Sequence, residues 1–412
     1  MGFERTLKAC NLGGFIQSAI MNLSPFLFVP LALLYGLSYT QLGFLVLLNF
    51  AAQFAADIGF GWSVNKHGYK PFCVGSQVAI VAGLGLFAAA PWIAPGREIV
   101  VFAFATVIFS AAAGLLEVLL SPITKSIPAK NSEANFMIMH SSFAGGIFGA
   151  ALLTTVLLKV LGEERWQIVI LVWALLPLFN AVQFLKSPMP AIVPEEKRMK
   201  AARLLVHPVF VVAFFAIFFG AATELLIVQW GSTYLEEGLG LPKTVGDVLG
   251  LCFFSAMLAC ARLLYAKTGE RLNLNRLMIW GSAACVVLYA VVAVAPKTWL
   301  VILAFGLIGF CSSMFWTGTL IVAADRLPHT GALIFGLLAG GGDLGIAVSG
   351  QLVGWLSDFF AARAPAGEVA AQYGLQTAML VATAIPVLSL VLQLPLRKLA
   401  PHRGPITDGC AS

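Results

Sequence analysis

Apolar residues fall along the chain in stretches of about twenty, separated by short polar turns. Twelve such stretches are marked near residues 11–35, 41–62, 71–94, 99–123, 136–158, 166–186, 208–232, 243–265, 275–295, 298–324, 331–356 and 373–396. Each is long enough to cross a hydrocarbon layer of about 30 Å as a helix. The pattern predicts an all-α membrane protein of twelve transmembrane helices.

Polar residues inside these stretches are few, and their spacing is informative. Helix one holds Gln17, Asn22, Ser24 and Pro25. A mid-helix proline frees a backbone carbonyl, which a membrane tolerates only where neighbours or cavity water satisfy it, so this face is expected to line a cavity. Helix two stacks Asn49, Gln53 and Asp57 at i, i+4 and i+8 on one face; an interhelical hydrogen-bond seam and a cavity lining both account for them. Glu117 lies in the apolar run from Ile99 to Ile123. Helix seven has Glu224, Gln229 and Trp230, helix ten Ser312, Ser313 and Trp316, and helix eleven Asp343 within Gly340–Gly345. A charge at such depth costs at least about 2.5 kcal/mol on insertion scales, so it faces protein or a wet cavity rather than lipid. Glu117 is the first functional candidate on that ground; a glutamate hydrogen-bonded between helices for packing alone is the alternative. His140 reads as an interfacial residue at the start of helix five, and Gly145, Gly146 and Gly149 as points of close helix approach.

Composition agrees: 59% of the 412 residues are hydrophobic and 11% charged, against about 25% charged in a soluble domain. The net charge of +6 could suggest nucleic acid, but its distribution decides otherwise. With the N-terminus taken as cytoplasmic, 19 of the 25 lysines and arginines fall on the inside. That is the positive-inside asymmetry, with both termini cytoplasmic and a cell (inner) membrane location expected. The first apolar run is too long for a signal peptide and lacks a small-residue cleavage site. Seven scattered cysteines without a CxxC or Cys/His cluster predict neither disulfide nor metal. An enzyme is not expected either, since Gly340–Gly345 sits in a membrane span without the preceding strand of a nucleotide loop.

The second half repeats the first. An offset of 204 aligns Leu37 with Leu241 and Thr40 with Thr244, and Gly146 and Gly149 of helix five match Gly342 and Gly345 of helix eleven. Residues 188–207, with Pro188, Pro190, Pro194 and the charge run Glu195–Arg198, read as a cytoplasmic linker between six-helix halves at 1–187 and 208–412. The same offset sets Glu224 opposite Ile20, within a turn of Asn22.

Glu117, Glu224 and Asp343 have no evident cationic partner in the sequence, since no lysine or arginine lies at mid-membrane and Arg262 sits near the cytoplasmic end of its helix. Acids that gain and lose protons can drive a proton-coupled cycle, and the absence of central cations disfavours anionic substrates. A neutral polar solute suits Gln17, Asn22, Asn49, Gln53, Glu117 and Gln229, with Trp230 and Trp316 as flat platforms; a lipophilic cation would also suit acids and aromatics.

After helix two, Gly61-Trp62-Ser63-Val64-Asn65-Lys66-His67-Gly68-Tyr69-Lys70 resembles the cytoplasmic signature loop of the major facilitator superfamily, with Asn65 in place of the usual acid. Leu116-Glu117 followed by Pro122, together with Leu37-Ser38-Tyr39-Thr40-Gln41 and Gly68-Tyr69-Lys70, resembles the fucose/glucose:proton symporter branch. Ser121 stands where that branch usually has asparagine, and helix one lacks its aspartate. The resemblance implies two pseudo-symmetric halves rocking about a central site, a cytoplasmic gate at Asp57, Gly61, Asn65, Lys66, Gly68, Lys70 and Arg262, and Glu117 in substrate binding and coupling. With the aspartate of helix one missing, Glu224, and Asp343 after it, become the expected proton carriers. The expected activity is proton-coupled symport of a neutral sugar or polyol by a monomer without cofactors. A proton/drug antiporter of hydrophobic cations is the alternative, and a non-transporting receptor a third.

Overall fold

Backbone inside hydrocarbon has to satisfy its own N–H and C=O groups, which a helix does within one segment. The computed structural model describes residues 3–59, 67–127, 132–190, 201–268, 272–295, 297–327 and 332–399, and these are helical with short turns between. Among the described residues, eleven helices are long and apolar enough to cross a membrane, and a pair bent by 41°, Glu4–Met21 and Ser24–Tyr35, supplies the twelfth crossing. That pair is α1. It is followed by α2 (Tyr39–Gly59), α3 (Tyr69–Ile93), α4 (Glu98–Ser126), α5 (Ser132–Leu161) and α6 (Trp166–Leu185). The second set is α7 (Pro208–Thr233), α8 (Lys243–Tyr265), α9 (Leu274–Val294), α10 (Thr298–Ala323), α11 (Ala332–Ala361) and α12 (Ala370–Leu399). Of the linker expected at 188–207, residues 191–200 lie outside the described residues, and Ala201–Leu205 forms a short helix.

The bend in α1 follows from Pro25. A proline has no N–H to give to the carbonyl four residues earlier, here that of Met21, and the helix gives way to a 3₁₀ turn at Ser24–Leu27 before resuming at Phe28. Asn49 of α2 satisfies the released oxygen, its Nδ2 donating to Met21 O at 2.7 Å. Seam and cavity lining are therefore not alternatives for Asn49, whose amide mends the backbone of the wall it belongs to. The crossing α10 also breaks, between Ser312 and Phe315, without a proline.

The repeat survives as packing. Helix α1 lies against α4, α5 and α6, and α7 lies correspondingly against α10, α11 and α12. The pairs α2–α4, α3–α4 and α3–α6 recur as α8–α10, α9–α10 and α9–α12. Glycines set the closest contacts: a Cβ on Gly146 would run into the carbonyl oxygen of Phe15 in α1, and one on Gly345 into that of Phe218 in α7. Backbone contact thus equates Gly146 with Gly345, three residues from the Gly342 expected from sequence matching. Between the halves, α2 packs on α11, α5 on α8, and the bend of α1 on α7.

Gly345→Ala is accordingly expected to lower stability by about 1–3 kcal/mol, the usual cost of overpacking, because a carbonyl inside a helix cannot move aside. At Gly336 an added Cβ meets nothing within 4 Å, and Gly336→Ala should be neutral or stabilising by about 0.5–1 kcal/mol. Thermal unfolding of both purified variants compares them directly; equal midpoints would remove the packing explanation.

Candidate functional site

A close approach of α2 and α4 starts the site. Gly114 has no side chain, and a Cβ there would stand 2.8 Å from Cα of Gln53, so the two backbones meet one turn before Glu117. Gln17 of α1 enters between them. Its Nε2 donates to Glu117 Oε2 at 2.6 Å and faces Gln53 Oε1 at 3.4 Å, and Gln53 Nε2 donates to Asn49 Oδ1 at 3.2 Å. The next residues at the α1 bend continue the path, because Asn22 Nδ2 donates to Ser18 O at 2.8 Å while Asn22 Oδ1 accepts from Gln229 Nε2 of α7 at 2.7 Å. A line of side-chain amides therefore runs from Glu117 in one half to Gln229 in the other, and the predicted residues Gln17, Asn22, Asn49, Gln53 and Gln229 come together in it with Glu117.

Buried polar groups normally find partners, and those left over call for an explanation. In this line Gln17, Asn22, Asn49, Gln53 and Gln229 are buried, yet Gln17 Oε1 and Gln229 Oε1 have no hydrogen-bond partner in the protein. Glu117 keeps part of its surface accessible. The group as a whole is uncharged apart from one acid, with spare acceptors on both sides of the interface.

Glu224 is placed differently from expectation. It lies outside the amide line and has a cationic partner: Arg262 Nη2 of α8 donates to Glu224 Oε1 at 2.8 Å. The sequence conceals this pair because the break in α10 creates its third member. Ser313 O, released by that break, accepts from Arg262 Nε at 3.1 Å and draws the guanidinium inward. Arg262 is thus bound inside the second half, rather than at the cytoplasmic gate where it was expected. Of the other gate residues, Gly61, Asn65, Lys66 and the side chain of Asp57 lie outside the described residues. Gly68 takes φ 83° just before α3, a conformation that glycine permits, and Lys70 Nζ donates to Leu185 O of α6 at 3.3 Å, a link within one half.

The expected platforms also separate. Trp230 is buried, its Nε1 donates to Gly350 O at 3.1 Å, and Phe28 and Tyr39 meet its ring edgewise, so it packs into the interface between α1, α2, α7 and α11. Trp316 lies half-buried against Gly342 of α11, one residue before the buried Asp343.

At the end where α1 turns into α2, the halves are joined by residues that were not among the site residues expected from the sequence. Ser38 and Gln41 form a reciprocal capping box at the start of α2: Gln41 N donates to Ser38 Oγ at 3.2 Å and Ser38 N to Gln41 Oε1 at 2.9 Å. The remaining free N–H groups, those of Tyr39 and Thr40, donate to the Asp358 carboxylate of α11 at 3.2 and 2.6 Å, joined by Thr40 Oγ1 at 2.5 Å. Across the same end, Thr155 Oγ1 of α5 donates to Asp247 Oδ2 of α8 at 2.5 Å. Lys243 Nζ stands 3.5 Å from both Asp247 and Glu236 and donates to Ser232 Oγ at 2.9 Å. A sequence signal existed for Asp358 alone: an acid at the end of one span, and a helix start elsewhere with N–H groups that its own capping box cannot fill.

No protein of curated function matches the chain in sequence. In structure it is similar to a bacterial homolog to the human lysosomal transporter Spinster, in its inward-facing and unoccupied conformation, at 14% identity and TM-score 0.79 over 96% of this chain and 97% of that one. A D-xylose-proton symporter matches at 12% identity and TM-score 0.78, over 97% and 98% of the two chains. The fucose:proton symporter of E. coli, in a single-site variant, matches at 15% identity and TM-score 0.63, over 96% and 99%. At these identities the likeness is one of fold. The sequence model described as Major Facilitator Superfamily matches residues 10–350. With twelve crossings, a packing repeat of six helices and that match over most of its length, the chain belongs to the major facilitator superfamily and is a membrane transporter.

Proposed function

We propose that the protein is a proton-coupled symporter of a neutral sugar or related polyol, working by alternating access in the cell membrane with both termini cytoplasmic. The observation that carries this reading is the line of amides from Glu117 to Gln229, in which Gln17 Oε1 and Gln229 Oε1 lack donors. Hydroxyl groups supply donors and acceptors together, as such a row of amides requires. An anionic substrate would want a free cation, and the arginine inside the second half is already held by Glu224. Two proteins of similar structure are symporters of D-xylose and of fucose with protons, which supports the same class. Glu117 is the acid in contact with the amides, and the Glu224–Arg262 pair is the coupling switch: a proton on Glu224 releases Arg262 from α7 and so loosens α7, α8 and α10 together. Six helices on either side of the segment 188–207 act as the moving halves.

Uptake of labelled monosaccharides into proteoliposomes under an inward proton gradient tests the proposal. Accumulation that collapses with a protonophore is expected. Expulsion of a cationic dye with no sugar accumulating would instead make it a proton/drug antiporter.

The polar closure at the α1–α2 end corresponds to an inward-facing state. Asp358→Asn removes the charge that faces the free N–H groups of α2 while keeping its shape. A carboxylate at a helix N-terminus is worth up to about 2 kcal/mol in a partly buried setting, so the fraction of molecules open at this end should rise roughly tenfold. Distances between spin labels on the exposed Phe44 and Trp355 positions of α2 and α11 report it. An unchanged distance distribution would leave Asp358 without a role in closure.

A further inference from the structure

On the lipid face of the first half, an open groove of about 640 Å³ runs along α3, lined by Pro71, Gly75, Val78 and Ala82 and flanked by Leu185 at the end of α6, with Lys70 at its mouth. Small residues keep it open: an added Cβ at Gly75 meets nothing within 4 Å. From Lys70 to Ala82 the groove follows α3 for about 18 Å, close to half of a hydrocarbon layer of about 30 Å. It therefore runs from one membrane surface to the midplane, the reach of a single acyl chain.

The mouth is cationic and unopposed by either helix. Lys70 gives one of its three N–H groups to Leu185 O, Lys186 is exposed on the next residue, and neither Tyr69–Ile93 nor Trp166–Leu185 contains an aspartate or glutamate. A peptide is a poor occupant, since its backbone would find no polar partners at this depth. A free phosphate would leave the apolar groove unused. We propose that the groove binds an anionic glycerophospholipid, with one acyl chain along Gly75 and Val78 and the headgroup phosphate on Lys70 and Lys186. Basic pockets between membrane helices on the cytoplasmic side recognise anionic headgroups by the same chemistry. This site is separate from the amide line and does not depend on the substrate.

Native mass spectrometry of the full-length protein with equal dioleoylphosphatidylglycerol and dioleoylphosphatidylcholine tests the proposal. Each lysine contributes about fivefold to retention of an anionic lipid, so the wild type should favour phosphatidylglycerol by roughly 25-fold. Lys70→Gln with Lys186→Gln should bring the ratio near one. Gly75→Leu fills the groove with a side chain that has room there and should reduce retention of both lipids at an unchanged unfolding temperature. Equal retention of the two lipids by the wild type, or unaltered phosphatidylglycerol retention in Gly75→Leu, would overturn it.

Discussion

Glu117→Gln is expected to abolish proton-driven accumulation of sugar in proteoliposomes while leaving the protein folded. The carbonyl of the new amide can still accept from Gln17 Nε2, which stands 2.6 Å from Glu117 Oε2, so the contact that joins α1 to α4 persists. What is lost is the titratable group hydrogen-bonded to Gln17 in the line of amides, and with it the means of coupling substrate to proton there. Hydrogen bonds to a charged group contribute about 1.5–3 kcal/mol against about 0.5–1.5 for neutral pairs. Substrate hydroxyls bound by the carboxylate should therefore be held roughly tenfold or more less tightly. Equilibrium exchange of labelled sugar, compared with net uptake under a proton gradient, separates weakened binding from lost coupling. Wild-type accumulation with the same pH dependence would sink the role of Glu117.

Arg262→Met is expected to destabilise the protein by about 3–5 kcal/mol, the cost of breaking a buried ion pair from one side. Glu224 is then left buried without its cation, and Ser313 O loses the donor that satisfies the break in α10. Pairing Arg262→Met with Glu224→Gln should recover much of the loss, because a neutral amide in the same place costs less than an uncompensated charge. Glu224→Gln alone should eliminate accumulation and leave exchange largely intact, since exchange need not release the proton. Thermal unfolding of the two single variants and the double variant, with both transport assays, measures these effects together. If the double variant is no more stable than Arg262→Met, the ion pair is not the source of the loss.

The membrane crossings are determined by the sequence alone, since a run of about twenty apolar residues is a local property and lipid admits only self-satisfied backbone. The same holds for the bend at Pro25, whose missing N–H leaves Met21 O free whatever the rest of the chain does. That Gln17, Asn22, Asn49, Gln53, Glu117 and Gln229 belong inside the bundle also follows from the cost of exposing them to hydrocarbon. Which of them meet was decided by tertiary structure, through contacts as short as the one between Gly114 and Gln53, and sequence spacing contains no distance between helices. Arg262 illustrates the reason most plainly. On its helix it sits close to the end of the span, but a carbonyl freed by the break in α10 and an acid on α7 bring its long side chain inward. Asp358 shows the same dependence, because a helix start has meaning for an acid on another half only once α2 and α11 are packed together.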